Sequence, residues 1–248
     1  MTNIDTAETA APNVVDRSAF DAELKALRVR EKAHTREGDA IAAARRRLPM
    51  VKVEAATPLI GEGGSVSLME AFEGRRLLIA YYLMWHANRP APEQCEGCTW
   101  VTSQVHELSY IHMRDATFAV FAQGPYEESA RYRKFMGWEV PWYSAQGRSI
   151  DTLLEGRQVG MMHIVCYLRQ GSDVFETYWT TRRGVEAMDN SYRLLDLTVY
   201  GRQEQWEDSP AGWPRGLTGN GCMRVNGRPA AQWPRLNAGH SDDLGTGT

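Results

Sequence analysis

Residues 77–84 read Leu-Leu-Ile-Ala-Tyr-Tyr-Leu-Met, a run without a charge or a turn residue. A run this continuously apolar is covered on both faces, so the segment Arg75 to His86 predicts a central strand of an α/β sheet. Ala116 to Phe121 repeats the pattern and predicts a second strand. Upstream, Phe20, Leu24 and Leu27 recur at helical spacing, which predicts a helix from about 18 to 47 with Ser18 as its cap, ended by Leu48-Pro49 and with Gly38 as a point of interruption. Downstream of residue 95, Val101, Val105, Leu108, Ile111 and His112 fall on one side of a helix. Tyr126 to Met136 predicts another, with Glu127 and Glu128 at its start and Arg131, Arg133 and Lys134 toward its end, as the helix dipole prefers.

The remaining elements are shorter. Pro49 to Glu54 is extended, Gly61 to Gly64 is a turn, and Leu68 to Gly74 is a single helical turn closed by glycine. Trp138 to Ser144 is extended but carries Pro141, so it is short or at an edge. Met162 to Leu168 and Val174 to Thr180 form a hairpin across a Gly-containing loop, and Glu186 to Leu197 is the last helix. After residue 74 the order is β-α-β-α-β-β-β-α. Residues 1–17 read as a disordered lead-in, 18–203 as the folded domain with its N-terminal helix, and 204–248 as a Trp-, Gly- and Pro-rich arm without periodicity, ordered at first and disordered after His240.

Composition changes this picture little. The chain has 248 residues, 43% hydrophobic and 24% charged, with a net charge of -3. That is long enough for a substantial core and too balanced in charge to favour nucleic acid. The Arg45-Arg46-Arg47 cluster, beside Glu37 and Asp39, reads as a solvated or ion-paired face. No apolar stretch spans a bilayer and Met1 to Asn13 does not resemble a secretory leader, so no membrane partner and a cytoplasmic location are expected. In that compartment four cysteines do not make a disulfide scaffold.

Candidate chemistry lies in Cys95-Glu96-Gly97-Cys98, where the first central strand hands over to a helix. A helix N-terminus favours thiolate, so Cys95 is the expected nucleophile and Cys98, one turn on, the resolving thiol. Glu96 beside them pushes the thiol pKa up and the couple toward reducing. Cys166 alternates with Ile164 and Leu168 and reads as core; Cys222 reads as an exposed tail thiol. Trp85, Trp100, Trp138 and Trp142, with Met162, are candidates to line a cleft for a small thiol or disulfide-bearing substrate, core packing being the other reading of each tryptophan. A metal-binding alternative would place zinc or copper on Cys95, Cys98, His86 and His163; otherwise no cofactor is expected. A third reading is a non-catalytic partner-binding module, and the aromatic tail is compatible with a homodimer.

Several blocks, in order, carry a resemblance. They are Glu31-Lys32 with Thr35-Arg36, Asp39 and Arg45 to Pro49, then Phe72 to Arg76, Cys95 to Thr99, Met136-Gly137-Trp138 with Pro141-Trp142, and Leu194 to Thr198 with Gly201 to Glu204. Through them the sequence resembles the DUF899 family of thioredoxin-like proteins, described as predicted dithiol-disulfide oxidoreductases. The resemblance implies a thioredoxin-like fold with an N-terminal helical extension and an irregular C-terminal arm, and a redox-active disulfide. One departure stands out: thioredoxins carry a cis-proline facing the cysteines, and the corresponding stretch here, Val159 to His163, has no proline.

Overall fold

A computed structural model describes residues 10–214 and 223–246. The chain divides into two compact units, Met1–Pro49 with Leu195–Gly216, and Met50–Leu194 with Leu217–Thr248.

In the first unit, helix α1 (Arg17–Arg45) is capped by Asp16, two residues before the expected Ser18: the Ala19 amide donates to Asp16 Oδ1 at 2.8 Å. Gly38 sits inside the helix without interrupting it, its cost of about 1 kcal/mol spread over a long exposed helix. α1 buries no residue, and Phe20 and Leu27 are exposed.

In the second unit the described residues form a mixed sheet in the order β1-β8-β7-β4-β5-β6-β2-β3. Its strands are β1 (Val51–Val53), β2 (Pro58–Gly61), β3 (Gly64–Ser67), β4 (Leu77–Leu83), β5 (Ala116–Ala122), β6 (Trp142–Ser144), β7 (His163–Gln170) and β8 (Asp173–Thr181). β4 runs parallel to β5 on one side and antiparallel to β7 on the other, and β5 runs parallel to β6. β7 and β8 are the expected hairpin, longer than predicted and closed by Gly171 and Ser172 alone. β6 is short, as Pro141 implied, but inside the sheet, because β2 pairs outside it.

Alternation along β4 and β5 builds two cores. Tyr81, Leu83, Phe118, Val120 and Ala122 face one way, against α2 (Glu96–Ser103) and α4 (Tyr126–Met136). Leu78, Ala80, Tyr82, Ala119 and Phe121 face the other, with Leu59, Phe72 and Leu153. The continuous apolar run is therefore two interleaved half-patterns, one per face.

Three expectations need correction. The helix expected after the cysteines is broken into α2 and α3 (Ser109–His112). Val105, Leu108 and Ile111 still pack on the first core, so their spacing satisfied the packing without one continuous helix. The last helix is likewise divided into a 3₁₀ helix, Arg182–Met188, and α6 (Asn190–Leu195), where Asp189 Oδ1 accepts the Tyr192 amide. The Gly61 to Gly64 turn was expected and joins β2 to β3, but the two strands themselves and α5 (Arg148–Leu153) had no distinct signal in the sequence.

The C-terminal arm is the third correction. It contains a small hairpin, β9 (Arg224–Val225) with β10 (Arg228–Pro229), a 3₁₀ turn Ala230–Gln232, and α7 (Trp233–Asn237). Order continues past His240: its ring nitrogen bonds the Phe135 carbonyl at 2.8 Å, Arg131 donates to the Leu244 carbonyl at 2.8 Å, and Leu244 is buried in the first core. Cys222 and residues 1–9 lie outside the described residues.

Gly124, just past β5, is required by a close approach. A Cβ there would fall 2.3 Å from Cδ1 of Trp85, whose Nε1 donates to Glu128 at 3.0 Å. Gly124→Ala is expected to lower stability by about 1–3 kcal/mol through that overpacking; an unchanged urea midpoint would show that Trp85 has room to move.

Candidate functional site

β4 ends at Leu83, and residues 84–95 carry the chain from its end to the start of α2. Gln94, fully buried, shapes this loop: its Oε1 accepts the His86 amide at 3.1 Å, and its Nε2 donates to the His86 and Arg89 carbonyls, each at 2.9 Å. A primary amide is suited to this task because it donates and accepts in one plane. The loop thus delivers Cys95 to the N-cap position of α2.

There the two cysteines have unlike surroundings. Cys95 is partly exposed and its Sγ accepts the Cys98 amide at 3.3 Å, filling the place a serine or aspartate cap would take. Cys98 is buried one turn on, and its Sγ accepts the Met84 amide at 3.3 Å. Met84 Sδ lies 3.9 Å from Cys95 Sγ. Both cysteines are free thiols.

The pair splits the proton affinity. Cys95 lies below the ordinary cysteine value, chiefly because the Cys98 thiol donates to its thiolate, helped by the Cys98 and Gly97 amides and opposed by burial and by Glu96. Burial pushes Cys98 far up, and the neighbouring Cys95 charge pushes it further. Glu96 acts in the direction the sequence suggested, but its effect is outweighed, so Cys95 is more acidic than an ordinary thiol rather than less. The alkylation rate of Cys95 by iodoacetamide should therefore fall with decreasing pH through a midpoint below the free-cysteine value of about 8.5. A midpoint at or above that value would remove the asymmetry.

The arm closes over this loop, and sequence reasoning missed its role. Arg224 donates to Glu96 Oε2 from both Nη2, at 2.8 Å, and Nε, at 3.2 Å. The same guanidinium reaches the carbonyls of Pro92, at 2.7 Å, and Gln94, at 3.1 Å. Further along, Gln232 donates to the Ala91 carbonyl and to the Tyr132 hydroxyl, each at 2.7 Å. That hydroxyl is 2.7 Å from Thr99 Oγ1, which in turn donates to the Cys95 carbonyl at 2.7 Å. A hydrogen-bonded chain therefore runs from the arm to the backbone of the nucleophile's own residue. Only the acidic Glu96 beside a cysteine hinted that a cation must come from elsewhere.

The other candidates separate. Trp85, Trp138 and Trp142 are buried in the first core; Trp138 and Trp142 donate to Ser103 and Ser129. Trp100 is half-buried against Tyr192, ring centroids 4.0 Å apart. Met162 packs at the edge of the first core, in the loop held by Gln123, whose side chain bonds the Gly160 amide and the Met161 carbonyl. Cys166 packs against the same core.

The metal ligands suggested by the sequence do not converge. His163 pairs with Tyr82 across β4 and β7 and so points to the second face, away from Cys98. Its Nε2 is bonded to the Gln158 carbonyl, and burial holds it below the ordinary histidine value. His86 is exposed. Among the described residues no three His, Cys, Asp or Glu side chains gather in a metal-binding group, and no helix is long and apolar enough to cross a membrane.

A family model described as "Bacterial protein of unknown function (DUF899)" matches residues 9–219. No curated protein and no solved structure matches the chain.

Proposed function

Because the chain belongs to the DUF899 family, whose function is undefined, its activity has to be read from the site, and we propose that it is a thiol-disulfide oxidoreductase acting on a small thiol or disulfide-bearing substrate. The observation that carries this reading is the division of labour between the two sulfurs: an accessible, acidic Cys95 and a buried, basic Cys98. Exchange needs an attacking thiolate and a second thiol that ionises only when required.

The Cys95 thiolate attacks one sulfur of the substrate disulfide, the substrate S–S bond breaks, and the other half leaves as thiolate. Cys98 then loses its proton and attacks Cys95 Sγ, forming the Cys95–Cys98 disulfide and expelling the second substrate thiolate. Two electrons pass from the protein to the substrate, and an external thiol reductant restores the dithiol. A depressed Cys95 pKa stabilises the reduced form, so the couple is more oxidising than Glu96 alone suggests.

A thioredoxin-like scaffold is part of the reading. It is supported by β4 entering a cysteine-capped helix, with parallel β5 on one side and the antiparallel β7–β8 hairpin on the other. The loop before β7 departs from that scheme: Gln123 holds Gly160 and Met161, and the stretch where the resemblance calls for proline has none. A cytoplasmic location belongs to the same proposal.

The test is a redox titration in dithiothreitol buffers, read by alkylation of thiols and mass spectrometry. The expected result is a single reversible two-electron midpoint at which Cys95 and Cys98 lose their labels together. Thiols that stay labelled at every potential would end the oxidoreductase reading.

A further inference from the structure

The exchange chemistry leaves one buried polar group unexplained. Tyr81 is fully buried, and its hydroxyl has no hydrogen-bond partner. The other large buried tyrosines are satisfied: Tyr82 and Tyr167 bond each other at 2.7 Å, and Tyr132 bonds Thr99 and Gln232. An unpaired buried hydroxyl is a standing penalty, and native proteins rarely keep one without cause.

Its position suggests the cause. Alternation on β4 directs Tyr81 into the first core, which also contains Cys98, and Met84, whose amide reaches Cys98 Sγ, is three residues further along the same chain. Tyr81 and Cys98 are both fully buried in that core, and each is among the groups that shift the other's ionisation. The remaining titratable groups acting on Cys98 are Cys95 from the start of α2 and Tyr132 from α4. A neutral thiol is a weak acceptor for a phenol, whereas a thiolate is a strong one. The hydroxyl is thus without a partner in the resting dithiol and would acquire one when Cys98 carries charge.

Resting on the oxidoreductase reading, we propose that Tyr81 is a further catalytic residue, whose O–H donates a hydrogen bond to the Cys98 thiolate in the steps that create it. When an external thiolate attacks Cys95 Sγ of the disulfide form, the new S–S bond joins the attacker to Cys95 and the Cys95–Cys98 bond breaks. The electron pair stays on Cys98, where the Tyr81 O–H and the Met84 N–H receive it, and solvent later supplies the proton. In the opposite direction the same donors stabilise Cys98 once its proton has left and before it attacks the mixed disulfide. Tyr81 keeps its own proton throughout, consistent with burial holding its phenol far above the ordinary value.

Tyr81→Phe removes the oxygen and keeps the ring. Its urea midpoint is expected to be unchanged or higher, since an unsatisfied hydroxyl is lost. Reduction of the Cys95–Cys98 disulfide by dithiothreitol is expected to slow about tenfold or more, with the pH midpoint of Cys95 alkylation unmoved. In the reduced protein the ¹³Cβ shift of labelled Cys98 should titrate about one pH unit higher than in the unsubstituted protein. That titration does not depend on redox turnover, so it judges the Tyr81 contact even if the pair proves to have no reversible couple. A folded Tyr81→Phe protein with an unchanged reduction rate and unchanged Cys98 titration overturns the proposal. Should the variant not fold, 2,3-difluorotyrosine at position 81 strengthens the donor, and faster reduction is expected; an unchanged rate overturns it equally.

Discussion

Cys95→Ser is expected to lower turnover of a small aromatic disulfide by at least about a thousandfold, because a hydroxyl is far less ionised and less nucleophilic than a thiolate. The substitution is a mild one for the fold: serine is a preferred N-cap, and its Oγ can accept the Cys98 amide that Cys95 Sγ now accepts. Loss of activity with an unchanged urea midpoint therefore reads chemistry rather than folding. Cys98→Ser should behave differently. Its Cys95 still attacks, but nothing resolves the product, so the reaction stops after one equivalent with the substrate half attached to Cys95 as a mixed disulfide. Mass spectrometry distinguishes the two outcomes directly. Continued turnover in Cys95→Ser, or identical behaviour of the two variants, would contradict the assigned order of the sulfurs.

Arg224→Ala is expected to cost about 3 kcal/mol, the lower end of the range for breaking a buried ion pair, since the Arg224 side chain keeps some solvent access, 25% against 9% for Glu96. The loss arises from Glu96, which would remain in its buried position with neither of the two guanidinium bonds it now accepts. The same change frees the carbonyls of Pro92 and Gln94, loosening the loop before the nucleophile, and leaves the Glu96 charge to act on Cys95 unopposed. Cys95 alkylation should consequently shift to higher pH. Adding Glu96→Gln to Arg224→Ala removes the stranded charge and should recover most of the lost stability in urea unfolding. Purely additive losses in the double variant would show that the two side chains do not act as a pair.

Much of this fold was legible where the signal is local. The apolar runs of β4 and β5 and the charge order along α4 are properties of consecutive residues, and the elements formed with nearly the expected bounds. Cys95 and Cys98 were legible for the same reason, a strand-to-helix corner in one short stretch. The break between α2 and α3 was not, because Val105, Leu108 and Ile111 reach the same core with or without an intact helix. His163 was misplaced as a ligand because residue type alone does not say which face of a strand it takes. That depends on parity: the residue paired with Tyr82 cannot share the side occupied by Tyr81. The arm was illegible for a different reason. Its elements are two to five residues long, too short to leave a period, and its contacts with the site are specified by partners more than a hundred positions away.

That separation has a consequence for how the protein is made. Glu96 and Arg224 are 128 positions apart, so at ribosomal speeds of about 5–20 residues per second the cysteines emerge roughly 6–26 s before the residue that ties their loop. Gln232 follows later still. During synthesis the dithiol is carried by a nascent chain whose sheet can form while its closing arm is still inside the ribosome, and the mature environment of Cys95 is completed only once Arg224 and Gln232 have emerged.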